Sequence, residues 1–331
     1  MTQSSIREAS TAAIREAAKM LQAGNLVAFP TETVYGLGAN ALDGKAAVQI
    51  YSAKGRPSFN PLIIHVAELD VAKELASFDT RARKIAAKYW PGPLTLVLPK
   101  AENCPVAEIC TAGLETIALR IPQHPVAQDL LRRADIPVAA PSANKSGEPS
   151  PTAPIHVQQS LGNQVDMILA AGRAQIGLES TVVSILPGTP PELLRHGGIT
   201  FEMLQEVLPD IVEATQPTDA PRSPGQLLKH YAPSIPVRLN AVDVNPGEAL
   251  IAFGSTKFMG IKGGGRAGDL PKTQIYNLSE HGDLHEAASH LFAALRALDR
   301  PEHKAIAVMN IPGKGVGVAI NDRLQKAAQK E

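Results

Sequence analysis

The sequence predicts an α/β protein built from two domains. Its 331 residues correspond to about two domains of roughly 150 residues each. Short apolar runs alternate with patterns of helical spacing, which is typical of sheets covered by helices. Six prolines between 209 and 236 interrupt this alternation and indicate an extended linker. Hydrophobic residues make up 44% of the chain, so we expect packed cores rather than disorder.

The N-terminal two-thirds is predicted to be a mixed α/β domain. Its first element is an amphipathic helix over 4–22, with an apolar face made of Ile6, Ile14, Ala17, Ala18 and Leu21. Apolar runs then predict buried strands at 26–29, 62–66, 94–98, 116–119, 138–140, 167–170 and 181–186. Helical patterns lie between several of them, at about 45–53, 69–76, 80–89 and 124–133.

The C-terminal part is predicted to form a smaller, doubly wound sheet. Strand patterns at 249–253, 275–278 and 305–309 alternate with helical patterns near 283–299 and 320–329. We therefore predict a first domain over 1–208, a proline-rich linker that is also a candidate lid over 209–236 and a second domain over 237–331.

Charge and composition exclude several classes of protein. The chain has 32 Lys and Arg against 32 Asp and Glu, which argues against a broad basic face that follows a nucleic-acid backbone. Neither a membrane-spanning apolar run nor the core of a signal peptide is found, so we expect a cytoplasmic protein that makes no membrane contact. The two cysteines, Cys104 and Cys110, suggest neither a disulfide framework nor a zinc site.

Three polar clusters follow predicted strands, where open α/β folds place their ligands. The first, at 30–38, puts two threonines, a glutamate and a tyrosine into one turn, although threonines that only cap backbone groups would look the same. The second, Lys54-Gly55-Arg56-Pro57 with Asn60-Pro61, suits an anionic ligand, or is a loop of solvated charges. The third, at 141–147, can bind phosphate through Ser, Asn and backbone N–H groups, or merely connects a strand to a helix.

Two arginines at predicted strand ends point to buried guanidinium groups. Arg120 and Arg195 each follow apolar residues, and a buried arginine usually pairs with a carboxylate or a phosphate. A structural salt bridge explains each position equally well. Neither a Walker A sequence nor a Gly-x-Ser-x-Gly elbow is present, so the sequence gives little support to a P-loop or to nucleophilic hydrolysis.

Several motifs in order resemble the threonylcarbamoyl-AMP synthases. They are Pro-Thr-Glu-Thr-Val-Tyr-Gly-Leu at 30–37, Lys-Gly-Arg-Pro at 54–57, Trp-Pro-Gly-Pro-Leu-Thr at 90–95, Pro-Ser-Ala-Asn at 141–144, Ser-Thr-Val at 180–182, Leu-Arg-His-Gly at 194–197 and His-Tyr-Ala-Pro at 230–233. The resemblance extends over nearly the whole chain and matches the long form of the family. It implies a YrdC-like domain with a twisted mixed sheet, followed by a smaller Rossmann-like α/β domain.

The resemblance implies a nucleotidyltransferase that joins L-threonine, bicarbonate and ATP into threonylcarbamoyl-AMP and releases pyrophosphate. Mg²⁺ would accompany ATP, no protein metal site is implied, and the product would pass to proteins that transfer it to tRNA. Direct tRNA binding is left open. Lys54 and Arg56 are the expected catalytic cations. The residues expected at ATP are Lys54, Arg56, Asn60, Thr116, Ser142, Asn144, Ser150, Arg195 and Tyr231. Those expected around threonine are Thr33, His65, Arg120, Ala140 and Ser180.

The linker departs from the family pattern. Where the family has a Met-Lys-Tyr-like stretch, this chain has Gln226-Leu227-Leu228-Lys229, which leaves open whether the linker contacts the triphosphate. Two other functions stay open at this point: an RNA-binding module, and a related carbamoyl-adenylate or carbamoyl-transfer enzyme with another substrate. The role of the C-terminal domain is also open.

Overall fold

The chain divides into two compact units, which the computed structural model describes over residues 5–214, 230–257 and 259–329. The first unit takes in residues 1–146, 151–175 and 179–227, and the second takes in 147–150, 176–178 and 228–331. Residues 215–229 of the predicted linker, with the atypical stretch Gln226–Lys229, lie outside the described residues. The predicted domain boundaries stay predictions.

The first unit is a mixed α/β structure, as predicted. Its helices are α1 Thr11–Gln22, α2 Gly44–Lys54, α3 Leu69–Leu75, α4 Thr80–Tyr89, α5 Glu108–Thr111, α6 Pro125–Ala134, α7 Pro154–Leu161 and α8 Phe201–Gln205. Its strands are β1 Ser5–Glu8, β2 Val27–Phe29, β3 Gly36–Asn40, β4 Ile63–His65, β5 Leu94–Pro99, β6 Thr116–Arg120, β7 Val138–Ala139, β8 Met167–Ala170, β9 Thr181–Ser184, β10 Glu192–Arg195 and β11 Val212–Glu213. A short 3₁₀ helix, Gly162–Gln164, follows α7.

The described strands of the first unit form one twisted, mixed sheet of eleven strands. Their order is β1-β8-β2-β3-β7-β4-β6-β5-β9-β10-β11. Strands β4 and β6 run parallel, as do β5 and β9, whereas β5 and β6 are antiparallel. The carboxyl ends of β4 and β6 therefore meet the amino ends of β5 and β9 at one edge of the sheet.

The prediction of a single N-terminal helix over 4–22 is wrong. Ser5–Glu8 instead forms a strand that pairs in parallel with β8, and Ile6 is 43% exposed. The helix begins only at Thr11, because the Ser10 hydroxyl caps it by accepting a hydrogen bond from the N–H group of Ala13 at 3.2 Å. The helical periodicity thus holds from Ile14 to Leu21, which are buried, but not before it.

The alternation of side chains along the central strands separates a core from a second face. Odd and even positions of β4, β5, β6 and β9 point to opposite sides of the sheet. One set joins the large core under the helices: Ile64, Leu96, Leu98, Ile117, Leu119 and Val183. The other set forms a smaller apolar cluster: Ile63, Val97, Ala118 and Val182, with Leu194 packed against it. This second face, defined by the small cluster, carries the polar residues described below.

The second unit contains a parallel sheet flanked by two long helices. Its helices are α9 Leu284–Leu298 and α10 Val316–Ala328, with a 3₁₀ helix at Ala267–Asp269. Its strands are β12 Val237–Arg238, β13 Asp243–Val244, β14 Glu248–Ala252, β15 Gly260–Ile261, β16 Ile275–Asn277 and β17 Ala305–Val308. Four of the described strands pair in the order β12-β17-β14-β16, all parallel, which confirms the Rossmann-like prediction. Helix α10 begins at Val316, four residues before the predicted start.

Candidate active site

A row of buried polar side chains lies on the second face, at the edge where β4 and β6 end. His65 and Arg120 are partners in the β4–β6 register. By strand alternation they share the face of Ile63 and Ala118, and Thr95 shares the face of Val97. We call this row the Arg120 edge; it consists of His65, Arg120, Thr95 and the adjoining Ser180. The sheet thus places an apolar floor beside four buried polar groups.

Arg120 is the charged centre of this edge. Its Nη2 donates to Oε1 of Glu32 at 2.7 Å, its Nη1 to Oγ1 of Thr33 at 2.9 Å, and its Nε to the carbonyl of Gly92 at 3.3 Å. Glu32 also accepts from the N–H group of Gln123 at 3.1 Å. Among the described residues these are the partners of three of the five N–H groups of Arg120, so one N–H on each terminal nitrogen remains for a ligand.

A turn that contains two threonine hydroxyls adjoins Arg120. The Thr31 hydroxyl donates to the carbonyl of Val34 at 2.7 Å, and the oxygens Oγ1 of Thr31 and Oγ1 of Thr33 are 2.7 Å apart. The N–H group of Thr33 also donates to Thr31 at 3.1 Å. The capping role that the sequence allowed for these threonines therefore belongs to Thr31, whereas the hydroxyl of Thr33 contacts Arg120.

His65 is neutral under physiological conditions. Burial and the neighbouring Arg120 charge lower the pKa of the imidazole to about 3. Its Nδ1 lies 3.2 Å from the carbonyl of Ile63, which can only accept, so Nδ1 is the donor in this hydrogen bond. The ring therefore lies beside Arg120 without adding a second positive charge.

Ser180 connects Arg195 to the Arg120 edge. Arg195 donates from Nη2 to Oγ of Ser180 and from Nε to its carbonyl, both at 3.0 Å. The Ser180 hydroxyl is in turn 2.7 Å from Oγ1 of Thr95. Gly197 allows this close packing, because a Cβ there would lie 2.4 Å from the backbone nitrogen of Thr181. Arg195, expected at ATP, thus touches a residue expected at threonine.

A second set of polar residues lies at the opposite end of β4. Lys54 ends α2 and Gly55 follows it in the left-handed conformation, with φ of +59°. The Lys54 ammonium donates to the carbonyls of Ser142 and Asn144 and thereby joins the second and third polar clusters. We call this group the Lys54 edge; it consists of Lys54, Arg56, Asn60, Ser142 and Asn144. Strand β4, which is three residues long, lies between the two edges.

Both cations of the Lys54 edge are buried, so the alternative of a loop of solvated charges is wrong. Lys54 is 3% exposed and Arg56 is 8% exposed. Arg56 donates from Nε to the carbonyl of Asn60 at 3.2 Å and from Nη2 to that of Pro61 at 2.9 Å. Hydrogen bonds to backbone carbonyls hold both cations in place, where an anion can pair with them.

Asn60 carries an unsatisfied side chain at this edge. It is completely buried, and both Oδ1 and Nδ2 lack a hydrogen-bond partner among the described residues. Each buried polar atom left unpaired costs about 1–3 kcal/mol, so the arrangement indicates a ligand with both donor and acceptor groups. The nucleotide contact that the resemblance implies for Asn60 stays a prediction.

Comparisons with known proteins agree with this geometry. A family model described as "Telomere recombination" matches residues 19–197, and one described as "Threonylcarbamoyl-AMP synthase, C-terminal domain" matches residues 199–329. The threonylcarbamoyl-AMP synthase of Pyrococcus abyssi is 41% identical over 326 residues, which cover 95% of this chain and 94% of the relative. The chain belongs to the threonylcarbamoyl-AMP synthase family. It is accordingly an enzyme of the nucleotidyltransferase type.

Further relatives support the family assignment. The threonylcarbamoyl-AMP synthase of Bacillus subtilis is 39% identical over 322 residues, which cover 95% of this chain and 92% of the relative. The crystal structure of P. abyssi Sua5 complexed with L-threonine matches with a TM-score of 0.85 and 38% identity, covering 98% of this chain and 96% of that one. Escherichia coli YciO, 22% identical with a TM-score of 0.52 over 59% of this chain and 96% of that one, shares the fold of the first unit.

The remaining residues expected from the synthase resemblance lie in different places. Thr116 begins β6 and shares a face with Ala118 and Arg120, whereas Ala140 follows β7 and donates from its N–H group to the carbonyl of Ile63 at 2.9 Å. Ser150 and Tyr231 belong to the second unit. Tyr231 is buried there, with its ring centroid 5.3 Å from that of Phe292. Nothing in the described structure shows what these four residues bind, so their roles stay predictions.

Three residues of the site were not assigned by the matching of motifs. Thr31, Glu32 and Thr95 are buried and hydrogen-bonded to assigned residues. Glu32 and Thr31 lie within the first polar cluster, and Thr95 lies two residues before the floor residue Val97. A buried arginine needs a carboxylate partner, and this requirement could have pointed to Glu32. The sequence alone does not pair the two, because Glu32 and Arg120 are 88 residues apart.

Metal ligation and membrane insertion find no support in the described residues. They contain no group of three or more His, Cys, Asp and Glu side chains that could hold a metal ion. No helix of the described chain is long and apolar enough to cross a membrane.

Proposed function

We propose that this protein forms L-threonylcarbamoyladenylate and pyrophosphate from L-threonine, bicarbonate and ATP. The observation that carries the proposal is Arg120, a buried guanidinium that keeps two N–H groups after Glu32, Thr33 and Gly92 are satisfied. A guanidinium N–H group that a carboxylate can reach makes a strong, charge-assisted hydrogen bond with it. The relative with L-threonine bound, 38% identical to this chain, supports the choice of amino acid.

The amino acid is assigned to the Arg120 edge. Its carboxylate takes the two remaining N–H groups of Arg120, and neutral His65, Thr33 and Ser180 surround the rest. The floor of Ile63, Val97, Ala118 and Val182 excludes water on one side. A dry pocket strengthens each of these hydrogen bonds, because the local dielectric constant is low. It also protects a carbamate, which decomposes in water.

ATP is assigned to the Lys54 edge, with Mg²⁺ bound to its phosphates as part of the substrate. Lys54 and Arg56 supply positive charge, and Ser142, Asn144 and Asn60 supply hydrogen bonds. Asn60 can both donate to and accept from the nucleotide, which would satisfy its two unpaired atoms. Arg195, which the resemblance also assigns to ATP, donates to Ser180 and therefore contacts one of the residues assigned to the amino acid.

The reaction requires positioning and charge stabilisation rather than a protein nucleophile. The amine of threonine attacks the carbon of bicarbonate, and a carbamate and water form. A carbamate oxygen then attacks the α-phosphorus of ATP, and the bond to the β-phosphate oxygen breaks as pyrophosphate leaves. Negative charge grows on phosphate oxygens in this step, so pre-placed cations at the Lys54 edge lower the barrier. The lack of a Gly-x-Ser-x-Gly elbow and of a Walker A sequence is compatible with this chemistry.

The cellular setting is also part of the proposal. The product carries an activated carbonyl group, which a transfer protein would deliver to tRNA in the cytoplasm. Nothing in the neutral composition calls for direct tRNA binding.

The test is pyrophosphate release by the full chain when each reactant is omitted in turn. We expect release to require L-threonine, bicarbonate and ATP together, with threonylcarbamoyl-AMP identified by mass spectrometry. Release that persists without threonine overturns the proposal. Release with another amino acid in preference to threonine would indicate a related carbamoyl-adenylate enzyme. Salt-sensitive RNA binding that ATP does not change, without release, would indicate an RNA-binding module.

A further inference from the structure

We infer that Thr31 is a positioning residue that makes Thr33 accept a hydrogen bond from the amine of the substrate. The inference deepens the proposed function and rests on it. It follows from which atom carries each hydrogen in the turn between β2 and β3.

The carbonyl of Val34 fixes the direction of the hydrogen bonds. It can only accept, so the single hydroxyl hydrogen of Thr31 must lie in the 2.7 Å contact between Oγ1 of Thr31 and that carbonyl. The contact of 2.7 Å between the hydroxyl oxygens of Thr31 and Thr33 also needs a hydrogen. Thr31 has none left, so Thr33 is the donor.

Thr33 consequently has only lone pairs to present to a ligand. One lone pair accepts from Nη1 of Arg120 at 2.9 Å, and the second remains. A carboxylate oxygen cannot bind there, because two acceptors would face each other. The turn thus converts a hydroxyl, which is normally able both to donate and to accept, into an acceptor.

The geometry of an α-amino acid identifies the donor. L-Threonine offers two donors to such an oxygen, its amine and its β-hydroxyl. Arg120 holds the carboxylate directly beside Thr33, and the amine is the donor closest to a carboxylate in an α-amino acid. Thr33 and Arg120 together then recognise the two groups that every L-amino acid shares, and the β-hydroxyl is left to other residues.

The test compares the binding of three ligands to the full chain by isothermal titration calorimetry. L-Threonine has both donors, L-2-aminobutyrate lacks the hydroxyl and 3-hydroxybutyrate lacks the amine. We expect Thr31→Val to lower the affinity for L-threonine and for L-2-aminobutyrate by a similar factor of about ten, which corresponds to the loss of one hydrogen bond. The affinity for 3-hydroxybutyrate should not change. Thr31→Ser, which retains the hydroxyl, should bind as wild type does. Thr111→Val is the matched control, because Thr111 is a buried threonine that donates to the carbonyl of Glu108.

Two patterns of loss overturn the inference, as does normal binding of all three ligands by Thr31→Val. A loss with L-threonine and 3-hydroxybutyrate but not L-2-aminobutyrate would assign Thr33 to the hydroxyl, and an equal loss with all three would reduce Thr31 to a structural role. If Thr31→Val does not fold, Thr33→Val carries the same comparison, and the same two patterns overturn it. A wild-type chain that releases pyrophosphate with threonine while Thr31→Val binds normally contradicts this inference alone. A wild-type chain that does not bind threonine contradicts the proposed function as well.

Discussion

The carboxylate of Glu32 and the guanidinium of Arg120 form an ion pair at 2.7 Å, and each side chain is only 4% exposed. A buried arginine without a counter-charge would be strongly destabilising. Because Glu32 supplies that charge, Arg120 can be buried and positioned before any substrate arrives. The pair therefore contributes to stability, and in the proposed function it also orients Arg120 for the carboxylate of the substrate.

We predict that Glu32→Gln raises the KM for threonine about tenfold and leaves the KM for ATP unchanged. An amide has one acceptor oxygen, whereas Glu32 accepts from both Arg120 and the N–H group of Gln123, so one donor loses its partner and Arg120 shifts. Steady-state pyrophosphate release measures both constants. We also expect the free energy of unfolding to fall by about 1–3 kcal/mol.

Glu248→Gln provides the matched control for this prediction. Glu248 accepts from Arg238 and from the N–H group of Asn245 in the second unit, so it loses a comparable set of hydrogen bonds. It should lower stability without changing the KM for threonine. An unchanged threonine KM in Glu32→Gln would show that Arg120 does not depend on its partner for recognition.

We predict that His65 lowers the stability of the protein as the pH falls from about 6.5 towards 3. Its pKa is about 3 in the folded state, because of burial and Arg120, so the unfolded chain takes up a proton that the folded chain does not. The loss is about 1.4 kcal/mol per pH unit within that window, and it vanishes above pH 6.5, where both states are neutral.

Urea unfolding at pH 7 and pH 5.5 checks the contribution of His65. The fall in unfolding free energy between these values should be smaller in His65→Asn than in the wild type, because asparagine does not titrate. Equal falls in the two proteins would mean that the pKa of His65 is the same in the folded and unfolded states, which contradicts the prediction.

We predict that Lys54→Met lowers kcat/KM for ATP by a factor of about 10² or more. The substitution removes a charge that the proposed function places near the phosphates, and it releases the carbonyls of Ser142 and Asn144. Threonine binding, measured by calorimetry, should change far less. Lys45→Met is the control, because Lys45 lies on the same helix but is exposed. Comparable activity in the two variants would remove Lys54 from the nucleotide site.

Most of the central fold was predictable because the signal for it is local. Apolar runs such as 94–98 and helical spacing such as 80–89 report burial on one or two faces, and the structure has a strand or helix at each. The first element was not predictable in this way. Ser5–Glu8 becomes a strand only because β8, more than 150 residues away in sequence, offers it a free edge.

The sequence by itself determined the α/β class, the second Rossmann-like sheet, the family and the polar residues at the strand ends. These follow from periodicity and from short motifs, which are properties of neighbouring residues. Only the tertiary structure decided that Glu32 pairs with Arg120, that Lys54 bonds the carbonyls of Ser142 and Asn144, and that Arg120 donates to the hydroxyl of Thr33. Such pairings depend on strand register and on the direction of individual hydrogen bonds, which residues distant in sequence establish only when the sheet has formed.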